Sequence, residues 1–169
     1  MLESLITSKT RLKLLVKFFV NENNQSHLRG LAEEFGESTN AIRKELNHLT
    51  EAGFLVKQSE KNKIEYKANT DHPLYLNLHE LIRKYLGFDK LLEAILERMG
   101  NVSQVVVTGD YAKGNNTGVV TVDIVGEKLN EEYLEKLSAR IEKVIQKKVE
   151  FHLNDGIPDP KGLVLYSKE

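Results

Sequence analysis

Four polar residues on one short segment have the types and spacing to do chemistry. Asn40, Arg43, Lys44 and Asn47 recur at i, i+3, i+4 and i+7, so a helix sets them side by side. Ile42, Leu46 and Leu49 recur at i, i+4 and i+7 on the opposite face, as an apolar stripe. An Arg or Lys fork suits the acceptors of guanine, an Asn amide suits adenine, and spare cations suit phosphate. A helix anchored by one face and offering this set on the other reads most simply as a DNA recognition helix. In an isolated helix the same four residues would be only the wet side of an amphipathic element, so the neighbouring segments decide.

Upstream, Leu28, Leu31, Ala32 and Phe35 predict a short amphipathic helix with Ser26 as its N-cap. Gly36 stands just past its end, where a left-handed residue is wanted. Ser38 is placed to cap the next helix after a tight turn. Ser38 and Thr39 would offer phosphate the N-terminus of that helix, and His48, beside the polar face, is a further phosphate contact. Downstream, Phe54–Gln58 and Ile64–Ala68 alternate apolar and polar residues around a tip at Ser59–Lys63, which predicts a β-hairpin. Lys61 and Lys63 at that tip suit the phosphate backbone. Helix, helix–turn–helix, hairpin is the order of a winged helix. The phrase ELNHLTEAGFLV (Glu45–Val56) resembles the end of the recognition helix in ArsR-type bacterial and archaeal regulators, where Leu-x-x-Leu-x-x-Ala-Gly precedes the wing. The resemblance spans roughly residues 8–86 and implies double-stranded DNA as a partner, bound by a homodimer reading half-sites about 34–36 Å apart.

Composition sets the bounds. The chain has 169 residues, 40% hydrophobic and 29% charged, which is one ordinary domain or two small ones. No apolar run is long enough to span a bilayer, and Lys and Arg interrupt the apolar residues of the N-terminus, unlike a signal peptide. A cytoplasmic protein without a membrane partner is expected. With no Cys there is neither a disulfide nor a thiolate metal site, the device by which many ArsR-type proteins sense metals. His27, His48, His72, His79 and His152 show no ligand spacing, so no metal and no cofactor is expected. The net charge of −1 hides an asymmetry. Residues 1–87 hold 13 Lys/Arg against 11 Asp/Glu (+2), and residues 88–169 hold 11 against 14 (−3). So small an excess predicts binding that needs a dimer and falls steeply with salt.

The supporting elements follow from periodicity. Lys9–Val20 predicts a helix with Leu12, Leu15, Val16 and Phe19 on one stripe, packed across the helix–turn–helix. Pro73 fits the first turn of a helix striped by Leu74, Leu78, Leu81, Ile82 and Tyr85 and ended by Gly87. A second helix, striped by Phe88, Leu91, Leu92, Ile95, Leu96 and Met99, ends at Gly100. Leu74–Tyr85 is a candidate homodimer seam; packing of both helices on the C-terminal half is the equal alternative. From Val102 the pattern turns to strands, with β-branched runs at Val105–Val107 and Val119–Val125 around the turn-rich loop Gly109–Gly118. Asn130 is placed to cap a helix striped by Leu134, Leu137, Ile141, Val144 and Ile145. A strand at Lys148–Leu153, a loop at Asp155–Pro160 and a last strand at Gly162–Tyr166 follow.

Gly109–Gly126 resembles a minimal nucleotidyltransferase of the DNA-polymerase-β type, a likeness that covers residues 88–169 and includes the ending KGLVLYSKE. In that family a Gly-Ser turn binds the triphosphate and an Asp-x-Asp strand holds Mg²⁺ with a third carboxylate. Here the turn reads Gly109, Asp110, Tyr111, Ala112, Lys113, Gly114; the strand reads Thr121, Val122, Asp123; Glu150 falls at the third carboxylate. Thr121 removes a hard anionic ligand for Mg²⁺. Asp110 puts a negative charge beside a triphosphate, where like charges about 4 Å apart cost roughly 4 kcal/mol at an effective dielectric of 20. The resemblance thus implies a degenerate domain and no catalytic residues.

The expectation is an α+β chain: a winged helix-turn-helix at 1–72 (three helices plus a hairpin wing), connecting and dimerising helices at 73–100, and a small α/β nucleotidyltransferase-like domain at 101–169. Its function would be transcriptional regulation, the last domain sensing a small-molecule effector, dimerising, or both. The alternatives are a protein-interaction module and a nucleotidyltransferase acting on nucleic acid or protein.

Overall fold

The computed structural model describes residues 1–154 and 159–168. The fold is α+β, with six α-helices and two sheets among these residues. The chain divides into two compact units, Met1–Ile82 and Arg83–Glu169.

In the first unit, α1 (Lys9–Phe19) begins at Ser8, whose hydroxyl accepts the Arg11 N–H at 3.1 Å. The expected stripe of Leu12, Leu15, Val16 and Phe19 is buried, and so are Leu14 and Phe18, so apolar neighbours cover this helix on more than one face. β1 (Gln25–His27) leads into α2 (Leu28–Phe35). Ser26 does not cap α2: it lies in β1 opposite Tyr66, and His27 holds the cap position without a side-chain bond. Cross-strand pairing has claimed the residue that local preference assigned to the helix. Gly36 closes α2 at φ 65°, and the Glu37 N–H returns to the Ala32 carbonyl at 3.1 Å. Ser38 caps α3 (Thr39–Glu51), accepting the Ala41 N–H at 3.2 Å. β2 (Leu55–Glu60) and β3 (Lys63–Ala68) form an antiparallel hairpin, and β1 adds to β3. The hairpin is longer than the alternation suggested, and its tip is only Lys61 and Asn62, at φ 46° and 67°. Two consecutive left-handed residues make the two-residue turn whose twist matches the strands.

α4 (Tyr75–Leu86) runs across the division between the units. Pro73 stands before it rather than in its first turn, in a bend where His72 Nδ1 accepts the Leu74 N–H at 3.0 Å. Its buried positions are Tyr75, Ile82 and Leu86, while Leu74 and Leu81 stay 50% and 39% exposed. The helix carries two apolar stripes. Packing selects the one holding Tyr75, whose ring lies 5.7 Å from that of Phe19.

In the second unit, α5 (Phe88–Arg98) precedes β4 (Asn101–Thr108) and β5 (Val119–Glu127). α6 (Leu134–Ile145) then leads to β6 (Lys148–Asn154), and β7 (Leu163–Ser167) completes a sheet of order β6-β5-β4-β7. Among the described residues only β5 and β6 pair in parallel. Asn130 makes no side-chain cap: a 3₁₀ turn at Glu131–Tyr133 precedes α6, and the Asn130 N–H goes to the Met99 carbonyl at 2.9 Å. Val105, Val107, Val120, Val122 and Ile124 are buried, as are Phe88 and Leu91 of α5 and Leu137 and Ile141 of α6. Residues 155–158 of the expected Asp155–Pro160 loop lie outside the described residues, as does Glu169.

Candidate nucleic-acid interface

α3 is held from behind. Ile42, Leu46 and Leu49 are buried, each worth about 2 kcal/mol relative to exposure. Glu45, only 7% exposed among them, is an acid the apolar stripe does not explain. Its carboxylate accepts the Arg11 Nε–H at 2.8 Å and the Ser8 hydroxyl at 3.1 Å, bolting α3 to α1. Burial pushes the Glu45 carboxyl up, but the Arg11 and Ser8 hydrogen bonds win and hold it below its ordinary value. α1 also grips α2 through Lys17–Glu34 at 2.8 Å, and the turn between α2 and α3 through the Thr10 hydroxyl, which donates to Glu37 at 2.8 Å. The α2–α3 pair is thereby fixed by polar bonds as well as by its apolar core.

The opposite face of α3 is open. Asn40, Arg43, Lys44, Asn47 and His48 are all exposed, as are Ser38 and Thr39 at the helix start. Arg43 Nη1 donates to Asn40 Oδ1 at 3.1 Å, which steadies both heads. The polar face divides in two. On one side Arg43 and Asn47 join Lys63 in a groove of about 710 Å³ between α3 and the hairpin, which also takes in Arg29, Lys57 and Asn62. None of the ten residues lining it is acidic. On the other side Lys44 and His48 share a hollow of about 250 Å³ with Glu45 and Glu51. Asn47 borders both. Lys61 is exposed at the hairpin tip and lines neither.

Sequence periodicity does not point to Arg11, Glu45, Arg29 or Lys57. Glu45 was visible only as a charge inside an apolar phase. Lys57 gives the same kind of signal, since it shares the inward phase of β2 with the buried Leu55.

The second candidate region is assembled differently. Gly109 ends β4 at φ 69°, and Asp110 and Lys113 are exposed in the turn that follows. Tyr111 is 1% exposed; its hydroxyl donates to Asn116 Oδ1 and accepts the Gly118 N–H at 3.1 Å. Burial pushes the Tyr111 phenol up, partly offset by the Gly118 bond. Strand register sets Thr121 abreast of Glu150, and Asp123 abreast of His152. Asp110 belongs to neither rung. Among the described residues no three His, Asp or Glu side chains gather closely enough to hold a metal ion. No described helix is long and apolar enough to cross a membrane.

No family model and no curated protein matches the chain. Among solved structures it is similar to the AntR antimony-specific transcriptional repressor, at 23% identity and a TM-score of 0.37, over 57% of this chain and 78% of that one. A superposition so loose carries no argument about function.

Proposed function

We propose that this chain is a DNA-binding transcriptional regulator whose first unit is a winged helix. The observation that carries the reading is the division of α3: Ile42, Leu46, Leu49 and the bolted Glu45 inside, Asn40, Arg43, Lys44 and Asn47 outside. Arg43 contacts guanine, Asn40 and Asn47 adenine, and Lys44 and His48 phosphate. Ser38 and Thr39 anchor phosphate at the start of the helix, and Lys61 and Lys63 hold the wing on the backbone. The protein acts as a homodimer, the exposed Leu81 of α4 and Leu74 just before it being the surface best suited to a seam. The second unit is a degenerate nucleotidyltransferase-type fold that senses an effector or helps dimerisation. It does no phosphoryl transfer, because Thr121 replaces a carboxylate and Asp110 is displaced from Asp123 and Glu150.

The test is fluorescence anisotropy against duplexes enriched from a random pool, with the wild type and Arg43→Ala/Lys44→Ala at two salt concentrations. Tight, salt-sensitive binding that the double variant loses supports the reading. No binding up to about 10⁻⁴ M, the weak end of non-specific affinity, overturns it. The exposed Leu74, Leu76 and Leu81 favour one second reading, a protein-interaction module, whose affinity would not fall linearly with log salt. Heat or labelled product on titrating the protein with Mg²⁺–ATP would instead restore the enzyme.

A further inference from the structure

Arg29 and Lys57 stand on different elements, yet both line the groove between α3 and the hairpin. Lys57 lies opposite Tyr66 in the β2–β3 register, on the strand face that also holds Leu55 and Ala68. Leu55, Ala68 and Tyr66 are buried, whereas Lys57 and Ile64 are exposed. The inward face of the hairpin therefore runs out past the core and becomes the wall of the groove. A lysine with no task would be better solvated on the outward face. Arg29 occupies the first turn of α2, where the helix dipole opposes a cation and no acidic residue shares the turn.

The cations of α1 offer a contrast within the same unit. Of its four, Arg11, Lys13 and Lys17 are each paired with a carboxylate, and Lys9 at the helix start makes no ion pair among the described residues. Among the described residues Arg29, Arg43, Lys57 and Lys63 make no ion pair, and they converge on a groove without an acid. Four cations facing one another repel unless a polyanion lies between them.

We propose that this groove holds one sugar–phosphate strand of duplex DNA, with Arg29 and Lys57 joining Lys63 as phosphate contacts while Arg43, on the α3 side, keeps its guanidinium for guanine. The proposal rests on the duplex-binding reading above. Ile64, exposed on the same wall, offers its side chain to a deoxyribose face. Arg29 and Lys57 then add affinity without sequence preference, while Asn47 on the α3 side of the groove keeps its amide for bases.

The experiment measures affinity against salt for Arg29→Gln and Lys57→Gln, on a selected duplex and on a duplex of random sequence. Each variant should lose affinity by the same factor on both duplexes, and flatten the slope of log K against log salt by about 0.9, one phosphate contact. Arg29→Lys and Lys57→Arg should keep the wild-type slope. Lys67→Gln removes the same charge from the outward face of β3, and should move the slope far less. Wild-type binding with unchanged slopes in Arg29→Gln and Lys57→Gln overturns the inference and leaves the regulator standing. So does a Lys67→Gln effect as large as theirs, which would reduce the groove to general charge. Tighter binding to a single strand than to the duplex of the same sequence overturns it as well. A wild type that binds neither duplex overturns this inference and the regulator reading together.

Discussion

The α3–hairpin groove of the first unit and the Gly109–Gly118 loop of the second treat their polar groups in opposite ways. Around the groove, Arg29, Arg43, Lys57 and Lys63 point outward from a frame that is bolted elsewhere, by Arg11–Glu45 and Lys17–Glu34. In the loop, the polar groups bond to one another. The N–H groups of Lys113, Gly114 and Asn115 close on carbonyls of the turn itself, and the Gly118 N–H closes on the buried Tyr111 hydroxyl. A turn that receives phosphate must leave its donors uncommitted. The difference teaches that a motif is informative through what it leaves available after folding.

Glu45→Ala would strike the frame of the first region hardest. It removes two charge-assisted hydrogen bonds, to Arg11 and Ser8, and should cost about 3 kcal/mol in urea titration near neutral pH. Because folding lowers the Glu45 carboxyl, its contribution is complete above the ordinary value of 4.5 and is lost as pH falls through the folded value. The gap between wild type and variant should therefore close on acidification. A gap that persists at acid pH would mean that Glu45 acts through packing and not as an anion. Arg43→Ala comes next and has the opposite profile. It should cost about 2 kcal/mol of affinity on the preferred duplex, with stability unchanged within about 0.5 kcal/mol. Equal loss on random DNA would reassign Arg43 from base to phosphate.

What could be read in the chain depended on how local the cause was. The Ile42, Leu46, Leu49 stripe and the Ser38 cap are settled within a few residues, and both stand as expected. Glu45 stands out in the sequence only as a charge in an apolar phase, and its partner is not legible because Arg11 lies 34 residues away. β1 was missed because Gln25, Ser26 and His27 have no strand character of their own and become a strand only by pairing with β3. α4 offered two overlapping apolar stripes: Ile82, in the expected one, is buried, but local periodicity cannot prefer Tyr75 and Leu86 as its buried companions over Leu74 and Leu81. The groove was half legible. Arg43, Asn47 and Lys63 follow from motif and tip, whereas Arg29 and Lys57 needed the hairpin to be folded back beside α3.

Tyr111→Phe sharpens the comparison from the other side. It deletes a buried hydroxyl that both donates and accepts, leaving the Gly118 N–H and Asn116 without their partner. Thermal unfolding should register about 1.5 kcal/mol, while duplex affinity stays at the wild-type value. A loss of duplex affinity at undiminished stability would make the loop part of the binding machinery and erase the contrast between the regions.

The smallest effect tests whether strain in the first region serves its function. Lys61 holds φ 46° at the hairpin tip, a conformation that a residue with a Cβ adopts at a cost of about 1 kcal/mol and glycine adopts freely. Asn62 beside it, at φ 67°, is a residue type that tolerates the left-handed region. A tip selected only for stability would carry Asn-Gly or Gly there, not lysine. Lys61→Gly should therefore raise stability by up to about 1 kcal/mol, less what glycine adds to the entropy of the unfolded chain. The same variant should weaken duplex binding and flatten its salt slope by about 0.9. Opposite signs in the two measurements would mark Lys61 as a residue kept in strain for its charge. Stability gained with the slope intact would leave the lysine without a role at the backbone, and the proposed contact of the hairpin with DNA would then rest on Lys63 and the groove wall alone.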